Sequence, residues 1–423
     1  MLILISLFGY LNIENVKLKN NLNLYMIKNR LSPIVTVVLS FKAGGEYQTP
    51  EDAGLFHLVE HMFFKGNKKY KTQEEFMKKV RELGIFYNGA TSHNYVVYFY
   101  TLPKEKLKEG LEFAYHAITG ILFDEKELEK EKTVVLDEYN RDYSDPLMNF
   151  HVDLSKLFFE EEFYRDDLLG PKHNILKAER EIMIKQYEKF YGPENCNLII
   201  SGDIDFKETL KLAKKIFERW KKKTSYQKPL KLPELKTKKF LRVKSKDIKS
   251  SRITLLFRGP STLYERKDTY IADLVGKMFS LPYSPFQIEF VNSGIAGSAT
   301  FSYYTKKASG EIYLNLDLEK SKIEEALEKI NYFLNSIDDE KWFPPEIIED
   351  AKTSIENDFY LQTENSQRFA LEFSFWITSA DFEYFKNYVD EIKKLNKEDI
   401  KEFLKNYIKN KNYVMGILEP EED

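Results

Sequence analysis

The chain has 423 residues, a length that accommodates two or three domains, each large enough to bury its own hydrophobic core. Hydrophobic residues make up 43% of the chain and charged residues 31%, which excludes a disordered or fibrous protein. The formal net charge of −3 leaves no positive excess for binding a phosphate backbone, so no nucleic-acid partner is expected. The single cysteine, Cys196, excludes an intrachain disulfide and a multi-cysteine metal site, so any metal must be bound by histidines and carboxylates.

The apolar opening of the chain, residues 1–11, predicts a β-strand, the alternative being a mis-chosen start. It lacks the basic segment and the small-residue cleavage site that are typical of a secretory signal peptide. No segment approaches the roughly 18 apolar residues that a membrane-spanning helix needs. Because near absence of cysteine also suits a reducing compartment, the sequence predicts a cytoplasmic protein that does not use a membrane as its partner.

The first functional motif lies on a predicted amphipathic helix, where apolar residues recur at helical spacing over Leu55–Met62. On a helix, His57 and His61 lie about 40° apart around the axis, so both imidazoles can bind one metal ion. Glu60 lies about 60° to the other side of His57, within reach of a metal-bound water. The order H-x-x-E-H inverts a common zinc motif and indicates a zinc site with Glu60 as the base, the alternative being two unrelated histidines on one face.

A third ligand is expected from a second helix. Glu131 and Glu138 are seven residues apart and would lie almost in line on one face, while Val134 to Leu136 bury another side. One carboxylate can bind the metal while the other accepts a hydrogen bond from a ligand histidine. The residues alone leave open the alternative that both acids lie on a solvated helix face.

The chain repeats itself at an offset of 216 residues, since Phe257 lies 216 residues after Phe41 and each belongs to a short apolar run typical of a buried strand. At the same offset, the segment 57–64 aligns with the segment 273–280, and the apolar Leu, Val, Met and Phe coincide. The second copy lacks both histidines and the glutamate of the motif. The repeat therefore predicts two homologous halves, of which only the first carries a metal site.

A lysine-rich segment that contains prolines separates the two halves and has the composition of a solvated linker. The predicted boundaries are an N-terminal domain over residues 1–220, a linker over 221–240 and a C-terminal domain over 241–423. Within each half, strands precede long charged helices and strands return later. The sequence therefore predicts the α+β class, with each domain a mainly antiparallel β-sheet covered by α-helices.

Three parts of the sequence carry a family resemblance: Gly54–Gly66 around the motif, Asn88–Ser92 with Tyr98, and the pair Glu131 and Glu138. Over nearly its whole length the chain resembles the pitrilysin/insulinase family of zinc peptidases. It is most similar to the short-subunit branch that includes mitochondrial processing peptidase.

This resemblance implies roles for individual residues. His57, His61 and Glu138 are implied to bind one zinc ion per chain, Glu60 to act as the general base, and Glu131 to orient a ligand histidine. The implied activity is hydrolysis of peptide bonds in unfolded peptides by metal-activated water. The alternative is a structural or chaperone-like subunit that keeps the fold without catalysis.

The same resemblance implies a substrate-binding strand. Asn88 and Ala90 match the edge-strand segment along which the family binds the substrate backbone by strand addition. Active family members also carry, in the second half, an Arg and a Tyr seven residues apart that contact substrate, but Phe290 and Gly297 occupy these positions here.

The substitution of this substrate clamp predicts a heterodimer, in which a homologous subunit without zinc supplies the missing Arg and Tyr. The alternative is a homodimer in which other donors, such as Tyr303 or Tyr304, replace them.

Overall fold

The structure is a computed structural model, and it describes residues 3–7, 11–160, 164–224 and 229–421. The chain forms two compact units, each built around one β-sheet. The first unit comprises Met1–Asn140, Asp166–Lys228 and Tyr360–Lys386, and the second comprises Arg141–Arg165, Pro229–Phe359 and Asn387–Asp423. Among the described residues, no helix has both the length and the apolar composition that a bilayer crossing requires.

The first unit contains a sheet of seven described strands in the order β1-β2-β3-β7-β4-β6-β5. The strands are β1 (Ile3–Leu7), β2 (Leu11–Lys17), β3 (Asn23–Lys28), β4 (Ile34–Phe41), β5 (Phe86–Thr91), β6 (Val96–Pro103) and β7 (Cys196–Gly202). Only β3 and β7 pair in parallel among these described strands. Strand β1 agrees with the predicted opening strand within residues 3–7, and residues 1, 2 and 8–10 lie outside the described part.

The second unit contains a sheet of five described strands in the order β10-β11-β9-β12-β8. The strands are β8 (Lys239–Ser245), β9 (Ser251–Gly259), β10 (Ser298–Tyr304), β11 (Gly310–Leu318) and β12 (Val414–Pro420). Within this described sheet only β8 and β12 pair in parallel. Read from β8, this order repeats that of β3-β7-β4-β6-β5, with the parallel pair at the same place. The predicted duplication and the predicted α+β class with mainly antiparallel sheets are confirmed.

Helices cover both sheets. In chain order they are α1 (Leu55–Met62), α2 (Gln73–Leu83), α3 (Leu107–Thr119), α4 (Glu125–Asp142), α5 (Pro146–Phe159), α6 (Lys172–Lys177), α7 (Arg180–Phe190), α8 (Phe206–Phe217), α9 (Arg266–Ser280), α10 (Pro285–Gln287), α11 (Ile323–Ser336), α12 (Pro345–Leu361), α13 (Ser366–Ser379), α14 (Phe382–Lys394) and α15 (Lys397–Tyr407). Several begin with side-chain caps, such as Thr72 before α2 and Asn396 before α15, which satisfy backbone N–H groups at the helix start.

Two helices are exchanged between the halves of the sequence. Helix α13, from the second half, packs on β4 and β7 of the first unit, and helix α5, from the first half, packs on β12 and β8 of the second unit. The two helices hold similar places in the repeat. The predicted boundaries divide the chain in linear order, whereas each unit draws on three segments. Residues 225–228 of the predicted linker lie outside the described residues.

Strand β4 shows how the first sheet is buried on both faces. Its alternate residues Val37 and Leu39 face the apolar core under the helices. On the opposite face Ser40 is hydrogen-bonded to Thr378 of α13, with 2.7 Å between their hydroxyl oxygens. Asn197 of β7 donates to the same Thr378 hydroxyl at 3.0 Å. The second face is therefore covered through buried polar pairs as well as through apolar contacts.

Candidate metal centre

Helix α1 presents its histidines away from the core. The apolar residues of this helix are buried in the core of the first unit, namely Leu55, Phe56, Leu58, Val59 and Met62. Gly54 precedes the helix with a φ of 90°, where a Cβ would approach the carbonyl oxygen of Leu169 at 2.3 Å. The imidazole rings of His57 and His61 lie on the other face, with centroids 4.7 Å apart. The predicted one-turn juxtaposition of the two rings is thus present.

Glu138 of α4 lies beside both imidazoles. Its Oε2 is 3.8 Å from His57 Nε2 and 3.6 Å from His61 Nε2. One ligand atom from each of the three residues lies within 4.8 Å of the others, and among the described residues this is the only such cluster of three or more His, Cys, Asp or Glu. Ligands at zinc bond lengths in a tetrahedron are separated by roughly 3.4 Å. The donor set and its spacing therefore fit one zinc ion.

Glu131 lies two helical turns before Glu138 on α4, behind the ring of His61. Its Oε2 lies 3.0 Å from His61 Nδ1, and its Oε1 lies 2.6 Å from the ammonium of Lys65. Burial acts to raise the pKa of Glu131, but the hydrogen bonds from His61 and Lys65 outweigh it and hold this pKa below its usual value. Glu131 thus has the position that the sequence predicted. Lys65 was not predicted, although it lies four residues after His61, a spacing that indicates one helical turn.

The carboxylate of Glu60 is nearly buried, and burial raises its pKa above the usual range. The hydroxyl of Thr91 donates to Glu60 Oε2 at 2.6 Å, which offsets part of this rise. Burial likewise acts to lower the pKa of His61, but hydrogen bonding to Glu131 and the charges of Glu138 and Glu60 raise it overall. The site therefore concentrates negative charge around two imidazoles, the electrostatic setting that favours a cation.

Strand β5 forms one edge of the first sheet and borders Glu60. Alternation along the strand puts Thr91 and Gly89 on the side of Glu60, since a Cβ on Gly89 would lie 3.1 Å from Glu60 Cγ. Asn88 and Ala90 lie on the exposed side of the strand. Asn88 and Ala90 were predicted to lie on an edge strand, and β5 is such a strand, whereas Thr91 and Gly89 were not predicted. Strand alternation indicates that Thr91 and Gly89 share one face, but it does not indicate that this face meets Glu60.

The clamp positions in the second unit carry no polar side chain. Phe290 is fully buried, and its ring centroid lies 5.0 Å from that of Phe286 and 5.7 Å from that of Phe333. Gly297 donates its N–H to the carbonyl of Asp317 at 2.8 Å and has no side chain.

Of the two alternative donors, Tyr303 donates its hydroxyl to the carbonyl of Pro260 at 2.8 Å, whereas Tyr304 is 49% exposed. Tyr303 is therefore engaged within its own unit, and Tyr304 presents more of its ring to solvent.

The chain has two duplicated sheets, and the first unit carries the H-x-x-E-H helix together with a glutamate from a second helix. These features define a class of two-domain proteins with a candidate zinc site in the first unit. Comparison with known proteins then gives the family. Residues 24–172 match the family model for insulinase (peptidase family M16), and residues 177–355 match the model for the M16 inactive domain. The chain belongs to the insulinase family, peptidase family M16, which confirms the resemblance seen in the sequence.

Individual relatives agree with this assignment. The zinc protease PqqE of Helicobacter pylori is 22% identical over 415 residues, which cover 96% of this chain and 93% of that protein. An uncharacterized zinc protease of Rickettsia bellii is 28% identical over 206 residues, so the alignment spans about half of each protein, 49% of this chain and 50% of the relative. The crystal structure of a protease from Helicobacter pylori superimposes with a TM-score of 0.88 at 21% identity, covering 96% of this chain and 99% of that one.

Proposed function

We propose that this chain is a zinc-dependent endopeptidase that hydrolyses unfolded peptides, with His57, His61 and Glu138 as the zinc ligands. The observation that carries the proposal is the convergence of these three donors beside the buried carboxylate of Glu60. The match to an inactive-domain model covers residues 177–355, whereas all of these residues lie within 24–172, the part matched by the insulinase model.

Glu60 is the proposed general base. Zinc, when bound, supplies a Lewis acid and lowers the pKa of a coordinated water toward about 7. Glu60 accepts a proton from the attacking water and passes it to the leaving amine, and burial, which raises the pKa of this carboxyl group, strengthens it as a base. The Thr91 hydroxyl donates to Oε2 of Glu60 and so restrains the orientation of this carboxylate.

Strand β5 is the proposed binding edge for the substrate. An extended peptide that adds to this edge would lie beside Glu60, because Gly89 in the middle of the strand borders that carboxylate. Backbone hydrogen bonds along a sheet edge select an extended conformation, so unfolded segments are favoured over folded ones. Asn88 and Ala90, on the exposed side of the strand, are proposed to hold the substrate through their backbone groups.

We further propose that the working enzyme is a heterodimer with a homologous chain that lacks the zinc motif. We also propose that it acts in the cytoplasm. The support for the heterodimer is that Phe290 is buried among aromatic rings and Gly297 has no side chain, so the two clamp positions offer no side-chain donor. A homodimer that uses Tyr304 instead is the competing arrangement. The single cysteine remains the basis for the compartment.

Hydrolysis of a quenched fluorescent peptide tests the proposal. The purified chain is assayed alone and with its candidate partner, each beside a Glu60→Gln variant, and the zinc content of every sample is measured. We expect one zinc per chain in both forms, hydrolysis in the mixture, and a loss of at least about a hundredfold in the variant, since a missing general base costs roughly that much.

Each other outcome identifies an alternative. Full activity of the chain alone, dependent on Glu60, would establish the peptidase and refute the heterodimer. Zinc binding without hydrolysis in any mixture would refute the catalytic proposal and favour the structural or chaperone-like subunit.

A further inference from the structure

Lys65 stands at the end of a short chain of contacts that leads to the metal centre. Its ammonium lies 2.6 Å from Oε1 of Glu131, while Oε2 of the same carboxylate lies 3.0 Å from Nδ1 of His61. The two oxygens of Glu131 therefore have different partners, one cationic and one imidazole. On the far side of the ring, His61 Nε2 lies 3.6 Å from Glu138 Oε2.

The position of Lys65 is fixed by the backbone. Its N–H donates to the carbonyl of Met62 at 3.2 Å in the turn that ends α1, and Gly66 follows with a φ of 131°. At that φ a side chain would be strained, and a Cβ on Gly66 would lie 2.8 Å from the carbonyl oxygen of Lys71. The turn thus directs the chain away after Lys65 and leaves its side chain beside α4.

Burial gives this ion pair its importance. The side chain of Glu131 is 6% exposed and that of Lys65 17% exposed, so water cannot readily replace either partner. Ion pairs at exposed sites contribute little, whereas removal of one partner from a buried pair leaves an uncompensated charge. If Lys65 were removed, Oε1 of Glu131 would lose its donor. Rotation of the carboxylate would then let Oε1 compete with Oε2 for His61.

We infer that Lys65 is a positioning residue for the metal centre: by holding Oε1 of Glu131, it directs Oε2 to the Nδ1–H of His61, so that the Nε2 lone pair points to the metal position. A ligand histidine binds through one nitrogen while a hydrogen bond at the other fixes its tautomer and ring orientation. This inference rests on the proposed zinc function and adds a residue outside the ligand set to it.

Zinc affinity tests the inference without reference to peptide hydrolysis. The full-length chain and its Lys65→Met, Lys65→Arg, Glu131→Gln and doubly substituted Lys65→Met/Glu131→Gln variants are titrated with zinc against a fluorescent chelator. We expect Lys65→Met to raise the Kd for zinc by about 10- to 100-fold, the usual effect of losing a group that orients a ligand. Lys65→Arg should restore most of the affinity. In the Glu131→Gln background, Lys65→Met should have no further effect, because its route to the metal is already removed.

Lys79→Met is the matched control, since Lys79 forms an exposed ion pair with Glu82 on α2 and its loss removes the same charge. Its zinc Kd should equal that of the parent chain. An unchanged Kd in Lys65→Met, or a full effect of Lys65→Met in the Glu131→Gln background, would overturn the inference. Circular dichroism of the zinc-free variants checks folding, and Lys65→Gln replaces Lys65→Met in the same cycle if the latter is unfolded. Failure of the proposed function is distinguishable, because it would show as normal zinc affinity without hydrolysis.

Discussion

The hydroxyl of Thr91 is the clearest case of a single group that shapes the site. It donates to Glu60 at 2.6 Å, and Val has nearly the same shape without the donor. A hydrogen bond to a charged group contributes about 1.5–3 kcal/mol, so Thr91→Val should lower kcat by roughly 10- to 100-fold, with zinc content unchanged. Steady-state kinetics with metal analysis checks this, and Thr91→Ser should recover most of the rate. Equal kcat values for the Val variant and the parent would contradict the role assigned to Thr91.

At the residue scale, the positions of site residues could be predicted best where spacing along one helix decides the geometry. His57 and His61 fall on one face because four residues make about one turn, and the structure has their rings side by side. Thr91 and Lys65 were missed because their contacts cross between elements. Neither the approach of β5 to Glu60 nor that of α4 to Lys65 is encoded in a local pattern.

At the scale of elements, the aromatic packing around Phe290 explains why no charged clamp residue occupies this position. Phe290 lies in the π-helical segment Ile288–Asn292, which follows α10, and is fully buried against Phe286 and Phe333. An arginine at this site would bring an unpaired charge into an apolar cluster. The charged clamp residue that the family resemblance leads one to expect at this position would therefore disturb the core packing seen here.

Substitution of Phe290 provides the corresponding prediction. Phe290→Ala should lower the free energy of unfolding by about 3–5 kcal/mol, the range for large-to-small changes in a core, while zinc affinity is unchanged. Urea denaturation monitored by circular dichroism measures the first quantity and chelator competition the second. Phe290→Met, which nearly conserves volume, should cost less than about 1.5 kcal/mol. A stable Phe290→Arg variant with increased hydrolysis would show instead that the position can still serve substrate.

For the whole molecule, the repeat in the sequence predicted the duplicated sheets correctly. The apolar strands of the two halves recur in the same order along the chain. Five strands of the first sheet and the five described strands of the second also share one spatial order. The exchange of α5 and α13 could not be predicted, because an amphipathic helix indicates only that its apolar face needs cover and does not specify which sheet provides it. Hydrogen bonds such as Ser40 to Thr378 identify the sheet that α13 covers, and they join residues 338 positions apart.

This exchange predicts that the N-terminal half does not fold alone. A fragment of residues 1–228 lacks α13, so it exposes the face of β4 and β7, together with Tyr25, whose ring centroid lies 5.3 Å from that of Phe373. We expect no cooperative thermal transition for this fragment, because its sheet has lost one covering layer. Fusion of residues 360–386 through a flexible linker should restore the transition, and the same fusion with Phe373→Asp should not. A cooperative transition in the bare fragment would mean that the helices on the other face of the sheet are enough for folding. Helix α13 would then only add stability to a unit that forms without it.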